Sequence, residues 1–332
     1  MNSTVGWIAA SLTRSEIVMR RLTRRPGLRC VLYHEIAEST SEFTEGLGIT
    51  SSPDTFRRQL ESFVQMYDIV ASDRLAADEK SDQPSRPQMM VTFDDAYASV
   101  PSVAADICHE LGVPSTFFVN GAYIDNRTIA LDNLVAWTLN TRGMAPVERA
   151  AGRRFKDRRA VSEFRARLTP IERSRLADAL AAATSSDPAR LASEGGLYAT
   201  SQQLTSLPSK GMTIGNHTWS HVHTRVLTES SFREEIDRNR TFLESIVGQP
   251  VDLFSYPYGS RRDATHPITA SLTQRGYRAA FLVEAQMNRI DQDLMKLFRV
   301  SLGDVVGYHL NAEVELLPVL RRARDLALRR GV

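Results

Sequence analysis

The 332-residue sequence lacks several features that would place it in a specialised class. No run approaches the roughly 20 apolar residues that a membrane-spanning helix needs, so we expect no transmembrane segment. Cysteine is scarce: Cys30 and Cys108 each lie beside apolar residues, which favours buried thiols over a disulfide and fits a reducing compartment. The net charge is only +2, which leaves no overall basic field that would indicate nucleic acid as a partner.

The N-terminal apolar run and the basic clusters bear on the localisation of the protein in the cell. A short apolar run over residues 5–12 has no basic residue before it and no small-residue cleavage site after it. We therefore predict an amphipathic N-terminal helix over residues 1–27, not an export signal, and a cytoplasmic protein, either free or peripherally attached at the inner membrane. Basic clusters at residues 20–29, 153–159 and 321–330 are either solvated helix faces or a surface for anionic lipid or a sugar-phosphate carrier. The oligomeric state is not indicated.

Strand and helix patterns alternate along most of the chain. A buried strand at residues 29–34 is followed by a strand at 89–93, a helix from about 101 to 111 and a strand at 115–119, an order typical of a parallel α/β sheet. From about residue 125 to 197, Ala, Leu and Arg dominate at helical spacing, which predicts a helical insertion. Strands then resume at 212–214, 252–256, 279–283 and 297–302.

Two helices are predicted in the C-terminal third. The first covers about residues 231–247, where Ser231 and Glu234 have the spacing of a capping box. The second covers residues 311–332, with acidic residues early and arginines late, as the helix dipole prefers.

Two adjacent carboxylates, Asp94 and Asp95, directly follow the predicted strand at 89–93. Catalytic groups collect at the C-terminal ends of strands in parallel α/β folds. Because neighbouring residues there point in different directions, one carboxylate can bind a metal while the other handles a proton. A helix cap or a loop pair is the alternative interpretation of an isolated Asp-Asp.

A histidine pair and an aromatic turn add to this pattern. His217 and His221 are four residues apart, so on a helical turn both rings share one face. With a carboxylate such as Asp95 they would form a two-histidine, one-carboxylate metal site with positions open for water, although a surface pair is the alternative. The segment FSYPYG at residues 254–259 is a strand entering a rigid turn, where Gly259 permits close approach of a ligand.

Three motifs occur in a characteristic order: TFDD at 92–95, NHTWSH at 216–221 and SYPYG at 255–259. Together they resemble the first three motifs of the polysaccharide deacetylases, carbohydrate esterase family 4 with its NodB-like homology domain. The segments VLYHEI, STFFVN, GYRAAF and FRV agree with the same family, so the resemblance covers roughly residues 28–125 and 197–305.

The resemblance implies a catalytic domain over residues 28–310, folded as an α/β distorted (β/α)7-type barrel and interrupted by the helical insertion. It also implies metal-dependent hydrolysis of the acetamido group of an N-acetylated amino sugar, in a polysaccharide, an oligosaccharide or a carrier-linked glycan. The metal of such enzymes is commonly Zn²⁺, with Co²⁺, Ni²⁺ and Mn²⁺ as alternatives. The insertion would be a lid, a carrier-docking surface or a structural cap.

The family's functional residues map onto matching positions here. Asp94 corresponds to the general base, and the backbone N–H of Tyr258 to the oxyanion donor, with Tyr256 and Pro257 as neighbouring substrate-binding candidates. The metal ligands correspond to Asp95, His217 and His221.

The assignment of the catalytic acid from the motifs is less direct. His34 ends an apolar strand near the N-terminus, which resembles the permuted branch of the family with an N-terminal YH motif, and His309 is the rival candidate. The third motif often carries an arginine that orients the base, but this chain has Ser255 there, and we consider Arg299 as the substitute. Ala96 follows the Asp pair where glycine is usual. The branch with YPYG commonly lacks the arginine, so an active enzyme is still expected.

Two other function classes remain open from the sequence. A deformylase or another amide hydrolase of the same fold would carry the same motifs. A non-catalytic carbohydrate-binding scaffold is the second alternative, and the metal content of the purified protein would separate it from an enzyme.

Overall fold

The computed structural model of the chain describes residues 27–72, 75, 86–289 and 292–321. The strands in this part are β1 Leu28–Tyr33, β2 Glu35–Ile36, β3 Thr50–Ser51, β4 Asp68–Ile69, β5 Gln88–Phe93, β6 Ser115–Val119, β7 Met212–Asn216, β8 Leu253–Ser255, β9 Ala279–Leu282, β10 Leu297–Phe298 and β11 Val300–Ser301. The main sheet is parallel throughout, in the order β10-β9-β8-β7-β6-β5-β1-β11, with β4 paired to β5. It curls into a nearly closed barrel.

The barrel closes at the segment around Arg299. β10 pairs with β9, and β11 pairs with β1, so one short segment joins the two ends of the sheet. The single strand predicted at 297–302 is therefore interrupted at Arg299, whose side chain is fully buried. With β10 and β11 counted as one interrupted strand the barrel has seven strands, and the predicted distorted (β/α)7-type barrel is confirmed.

Helices surround the barrel. They are α1 Pro53–Met66, α2 Ala105–Glu110 after a π-helical turn at Val100–Ala104, α3 Leu131–Thr141, α4 Met144–Ala151, α5 Arg158–Arg165, α6 Pro170–Thr184, α7 Pro188–Gly195, α8 Ser201–Ser206, α9 Glu229–Val247, α10 His266–Gln274 and α11 Gly307–Asn311. Helix α1 illustrates how the sequence encodes them: Ser52 caps it by accepting from the Thr55 N–H, and Phe56, Leu60 and Phe63 face the core.

The predicted helical insertion is confirmed, since α3 to α7 all lie between β6 and β7. Leu134, Val147 and Leu180 from three of these helices are fully buried and join the main core, so the insertion packs against the barrel as part of one hydrophobic cluster. A capping box between Thr169 and Glu172 begins α6, its longest helix.

Two details near the C-terminal third differ from the sequence prediction. Helix α9 begins at Glu229, because Thr228 and not Ser231 is its N-cap, and the Thr228 hydroxyl accepts from the Ser231 N–H. The last helix begins at Gly307, before residue 311, and contains a π-helical stretch at Ala312–Leu316.

The helix predicted over residues 1–27 lies outside the described residues except for its last position, as does the end of the C-terminal helix. No helix in the described ranges has the length and apolar character needed to cross a membrane.

Candidate active site

Four of the parallel strands end at one rim of the barrel, each just before a residue singled out from the sequence. β1 precedes His34, β5 precedes Asp94, β7 precedes His217 and β8 precedes Tyr256. Because the carboxyl ends of parallel strands lie on the same edge of a sheet, the residues that follow them converge.

A cavity of about 300 Å³ opens at this rim. Its wall includes six of the predicted residues and several residues of the insertion: His34, Asp94, Asp95, His217, His221, Tyr258, Asp132, Asn133, Ser162 and Arg165. His309 does not belong to this wall and is exposed on α11, so the structure brings His34, and not its rival, to the cavity.

Asp95, His217 and His221 form a cluster suited to a metal ion. Their ligand atoms all lie within 4.8 Å of one another. The Asp95 Oδ1 is 3.6 Å from the Nε2 of His217 and 3.3 Å from the Nε2 of His221. Three protein ligands that leave further positions open are typical of a catalytic zinc site.

The ring of His217 is fixed by its other nitrogen. Its Nδ1 lies 2.8 Å from the carbonyl oxygen of Ser255, so a proton on Nδ1 donates to this carbonyl and leaves Nε2 with its lone pair toward the cavity. Burial lowers the pKa of His217 to about 4, although Asp94 acts in the opposite direction. The ring is therefore neutral at pH 7, as metal binding requires.

His221 has a carboxylate partner that the sequence did not reveal. Its Nδ1 lies 3.6 Å from the Oδ2 of Asp132, the second residue of α3. Burial acts to lower the pKa of His221, but Asp95 and Asp132 outweigh it, and the pKa lies above its ordinary value. An imidazole held between a metal position and a carboxylate is the usual arrangement of a histidine ligand.

Asp94 is held by Arg299 in a fully buried bidentate pair. The two guanidinium nitrogens lie 2.7 and 2.6 Å from the two carboxylate oxygens, and the Ser255 hydroxyl donates to the same carboxylate over 3.0 Å. Burial alone would raise the pKa of Asp94, but Arg299 and His217 lower it well below its usual value. Arg299 thus holds both carboxylate oxygens of Asp94, and Asp94 is ionised at neutral pH.

His34 is half-buried at the cavity wall. Burial lowers its pKa, while the carboxylates of Asp95 and Asp94 act in the opposite direction. A lowered pKa makes the protonated ring a stronger acid than free imidazole.

Tyr258 is held on three sides. Its ring stacks on His223 at 3.9 Å between ring centres and contacts His221 at 4.6 Å, and its hydroxyl donates to Asp132 over 2.6 Å. No hydrogen bond from its backbone N–H to any described residue is formed. His223, in turn, is buried and lies 3.1 Å from Asp263.

The other two residues of this turn face elsewhere. Tyr256 is fully buried, its hydroxyl donates to the Met295 carbonyl, and neither Tyr256 nor Pro257 belongs to the cavity wall. The structure therefore brings only Tyr258 of the three to the candidate site.

The backbone is strained where these residues meet. Asp95, Thr218, His221 and Tyr258 have φ angles of 67°, 65°, 52° and 60°, a region that non-glycine residues rarely adopt. Each such residue costs on the order of 1–3 kcal/mol, and strain of this kind concentrates at functional sites. Four of the seven such residues in the described chain lie at this rim, which marks it as functional.

Comparison with known proteins agrees with this geometry. Residues 81–280 match the family model of the polysaccharide deacetylases. The chain belongs to the polysaccharide deacetylase family. It is accordingly a hydrolase of carbon–nitrogen bonds other than peptide bonds, and membership supports N-deacetylation of glycans.

Several solved structures share the fold. The Streptococcus pyogenes deacetylase PplD, solved in complex with acetate, is similar with a TM-score of 0.59 and 14% identity, over 88% of this chain and 99% of that one. IcaB from Ammonifex degensii is similar with a TM-score of 0.54 and 18% identity, over 84% and 93%. The putative polysaccharide deacetylase BA0330 from Bacillus anthracis has a TM-score of 0.56 and 15% identity, over 87% and 69%. No curated protein matched the sequence.

Proposed function

We propose that this chain removes the acetyl group from an N-acetylated amino sugar in a polysaccharide, an oligosaccharide or a carrier-linked glycan, using a divalent metal. The observation that carries the proposal is one cavity that combines a two-histidine, one-carboxylate cluster with an ionised Asp94 and with His34. Membership in the polysaccharide deacetylases supports the same chemistry.

The residues present fit a metal. Asp95, His217 and His221 supply two nitrogen ligands and one oxygen ligand, the set that zinc accepts in hydrolases, with Co²⁺, Ni²⁺ and Mn²⁺ as alternatives. The Nε2 of His217 is available because its Nδ1 is engaged by the Ser255 carbonyl. When bound, the ion would supply Lewis acidity to the attacking water and to the acetyl carbonyl.

The chain's own groups perform the remaining steps. Asp94, kept ionised and oriented by Arg299, takes the proton of the attacking water. The Tyr258 N–H, which has no partner in the described structure, donates to the developing oxyanion, a contact worth roughly 3 kcal/mol in other hydrolases. His34 gives a proton to the departing sugar nitrogen, which leaves as an amine.

The replacement Asp94→Asn tests the base. We expect acetate release from N-acetylglucosamine oligomers to be lost, while the zinc content of the purified protein stays at the wild-type level because the three ligands are unchanged. Asp237→Asn, at a carboxylate that is half-exposed on α9, is the matched control and should keep full turnover. Near wild-type turnover in Asp94→Asn would disprove the assignment.

Metal removal tests the cofactor. Dialysis against a chelator should abolish acetate release, and added zinc should restore it. A panel of N-acetyl and N-formyl sugars, assayed for the acid released, then decides between deacetylation and deformylation. Full turnover after chelation would refute the metal proposal.

A further inference from the structure

Residues of the helical insertion line part of the cavity. Asp132 and Asn133 from α3 and Ser162 and Arg165 from α5 line it together with the predicted metal ligands. A segment that contains none of the family's three motifs therefore reaches the candidate active site.

Arg165 is the unusual member of this wall. Its side chain is only 9% exposed, and its one hydrogen bond within the described chain joins Nη1 to a carboxylate oxygen of Asp132. Its Nε is buried without any hydrogen-bond partner. A guanidinium carries five N–H donors in a planar fork, so Asp132 leaves most of this donor capacity unused.

The charges on this wall do not balance. Arg173 of α6 also pairs with Asp132, over 3.1 Å, and is 95% buried with an unpartnered Nη1 of its own. Two guanidinium groups thus share one carboxylate, which also accepts from the Tyr258 hydroxyl. Asp94 is already paired with Arg299, and Asp95 faces the two histidines, so neither supplies the missing negative charge. An excess buried cation is expensive unless an anion pairs with it.

We propose that Arg165 forms a subsite for an anionic group of the substrate, a phosphate or a carboxylate carried by the sugar near its acetamido group. This inference rests on the proposed deacetylation and adds the substrate's charge. A planar guanidinium is suited to both groups, since each offers two oxygens to the fork. Of the two arginines only Arg165 lines the cavity, whereas Arg173 pairs with Asp132 without reaching the cavity wall.

The test compares sugars that differ in charge. Wild-type enzyme with zinc is assayed on methyl N-acetylglucosaminide, which is neutral, on N-acetylglucosamine 1-phosphate and on N-acetylmuramic acid, which carries a carboxylate. We expect a higher kcat/KM for at least one anionic sugar than for the neutral one, and the favoured anion distinguishes phosphate from carboxylate.

Variants then locate the preference. Arg165→Gln should lower kcat/KM for the favoured anionic sugar about tenfold or more, the size expected for losing one charge-assisted hydrogen bond, and should change the neutral sugar far less. Arg159→Gln is the matched control on the same helix, because its side chain is 86% exposed. Arg165→Lys keeps the charge without the fork and should recover part of the preference, and it serves as the second variant if Arg165→Gln does not fold.

Calorimetry separates this inference from the proposed reaction. We expect glucosamine 1-phosphate to bind the zinc-loaded wild type more tightly than glucosamine does, and Arg165→Gln to remove the difference. This readout remains valid if no acetylated sugar is hydrolysed, a result that would refute the proposed function alone. Equal losses of kcat/KM on neutral and anionic sugars in Arg165→Gln would overturn the subsite. So would a wild type that prefers neither an anionic acetylated sugar in the assay nor glucosamine 1-phosphate in calorimetry.

Discussion

Two arginine–carboxylate pairs in this chain are both bidentate, with similar distances, but differ in burial, and this contrast gives a quantitative prediction. Arg299 contacts Asp94 at 2.7 and 2.6 Å with side chains that are 0% and 3% exposed. Arg275 contacts Asp237 at 2.9 and 3.0 Å with side chains that are 24% and 50% exposed. We expect Arg299→Met to lower the free energy of unfolding by about 3–5 kcal/mol, because it leaves the buried carboxylate of Asp94 without its cationic partner. Arg275→Met should lower the free energy of unfolding by only about 0–1 kcal/mol, because its ion pair is exposed to solvent.

The same replacement should move the pH profile of catalysis. In the wild type the pKa of Asp94 is lowered, so its pairing stabilises the fold above the unfolded-state pKa of about 3.9 and the gain is lost as the pH falls through the folded value. Without Arg299 the effect of burial, which raises the pKa of Asp94, is no longer offset by the guanidinium. The acidic limb of kcat/KM should therefore shift to higher pH in Arg299→Met.

Both quantities are measured in one zinc-containing buffer system, by urea unfolding at pH 7 and by acetate release across pH. Arg299→Lys, which retains a charge, should fall between the wild type and Arg299→Met in each measurement. An Arg299→Met variant that loses no more stability than Arg275→Met, or whose acidic limb of kcat/KM stays in place, would refute this role of Arg299.

Three further predictions concern the neighbouring residues. Gly259→Ala should lower turnover and the thermal midpoint, because φ is +58° and a Cβ would meet the Val283 nitrogen at 2.4 Å; Gly248→Ala has a similar φ but nothing within 4 Å, and should leave turnover unchanged. Asp132→Asn should weaken zinc affinity about 10–100-fold in a chelator competition, since a ligating histidine loses its carboxylate partner; unchanged affinity would contradict this. Burial raises the pKa of both cysteines to about 12, so thiol labelling at pH 8 should be slow until denaturant is added, and rapid labelling of the native protein would refute it.

The sequence predicts the strand ends well because their signals are local. The apolar strand Gln88–Phe93 is followed at once by the carboxylate pair, and parallel pairing of β5 through β6 with β7 then brings the histidines of the next motif to the same rim. A side chain such as Arg299 could be proposed from the missing motif arginine. Its inward direction follows from barrel closure, which no local pattern encodes.

The contribution of the insertion could not be predicted, and the reason is physical. Its helices can be predicted from the periodicity of apolar residues. The hydrogen bond between Asp132 and Tyr258, however, joins residues 126 positions apart, and no spacing rule links the two. Periodicity tells which helix face is buried and not which buried polar residue faces a cavity. The start of α9 shows a smaller limit, because Thr228 and Ser231 both suit an N-cap by residue type and the structure has Thr228 in that role.

The contact between Asp132 and His221 bears on how such enzymes can be re-engineered. Exchanging residues 125–197 for the corresponding segment of a relative would be the obvious way to alter sugar preference while keeping the barrel and its motifs. Here the exchange would also remove the carboxylate that faces a predicted metal ligand and holds the Tyr258 hydroxyl. A chimera would therefore need an acidic residue retained at position 132, so that selectivity and metal retention are not altered together.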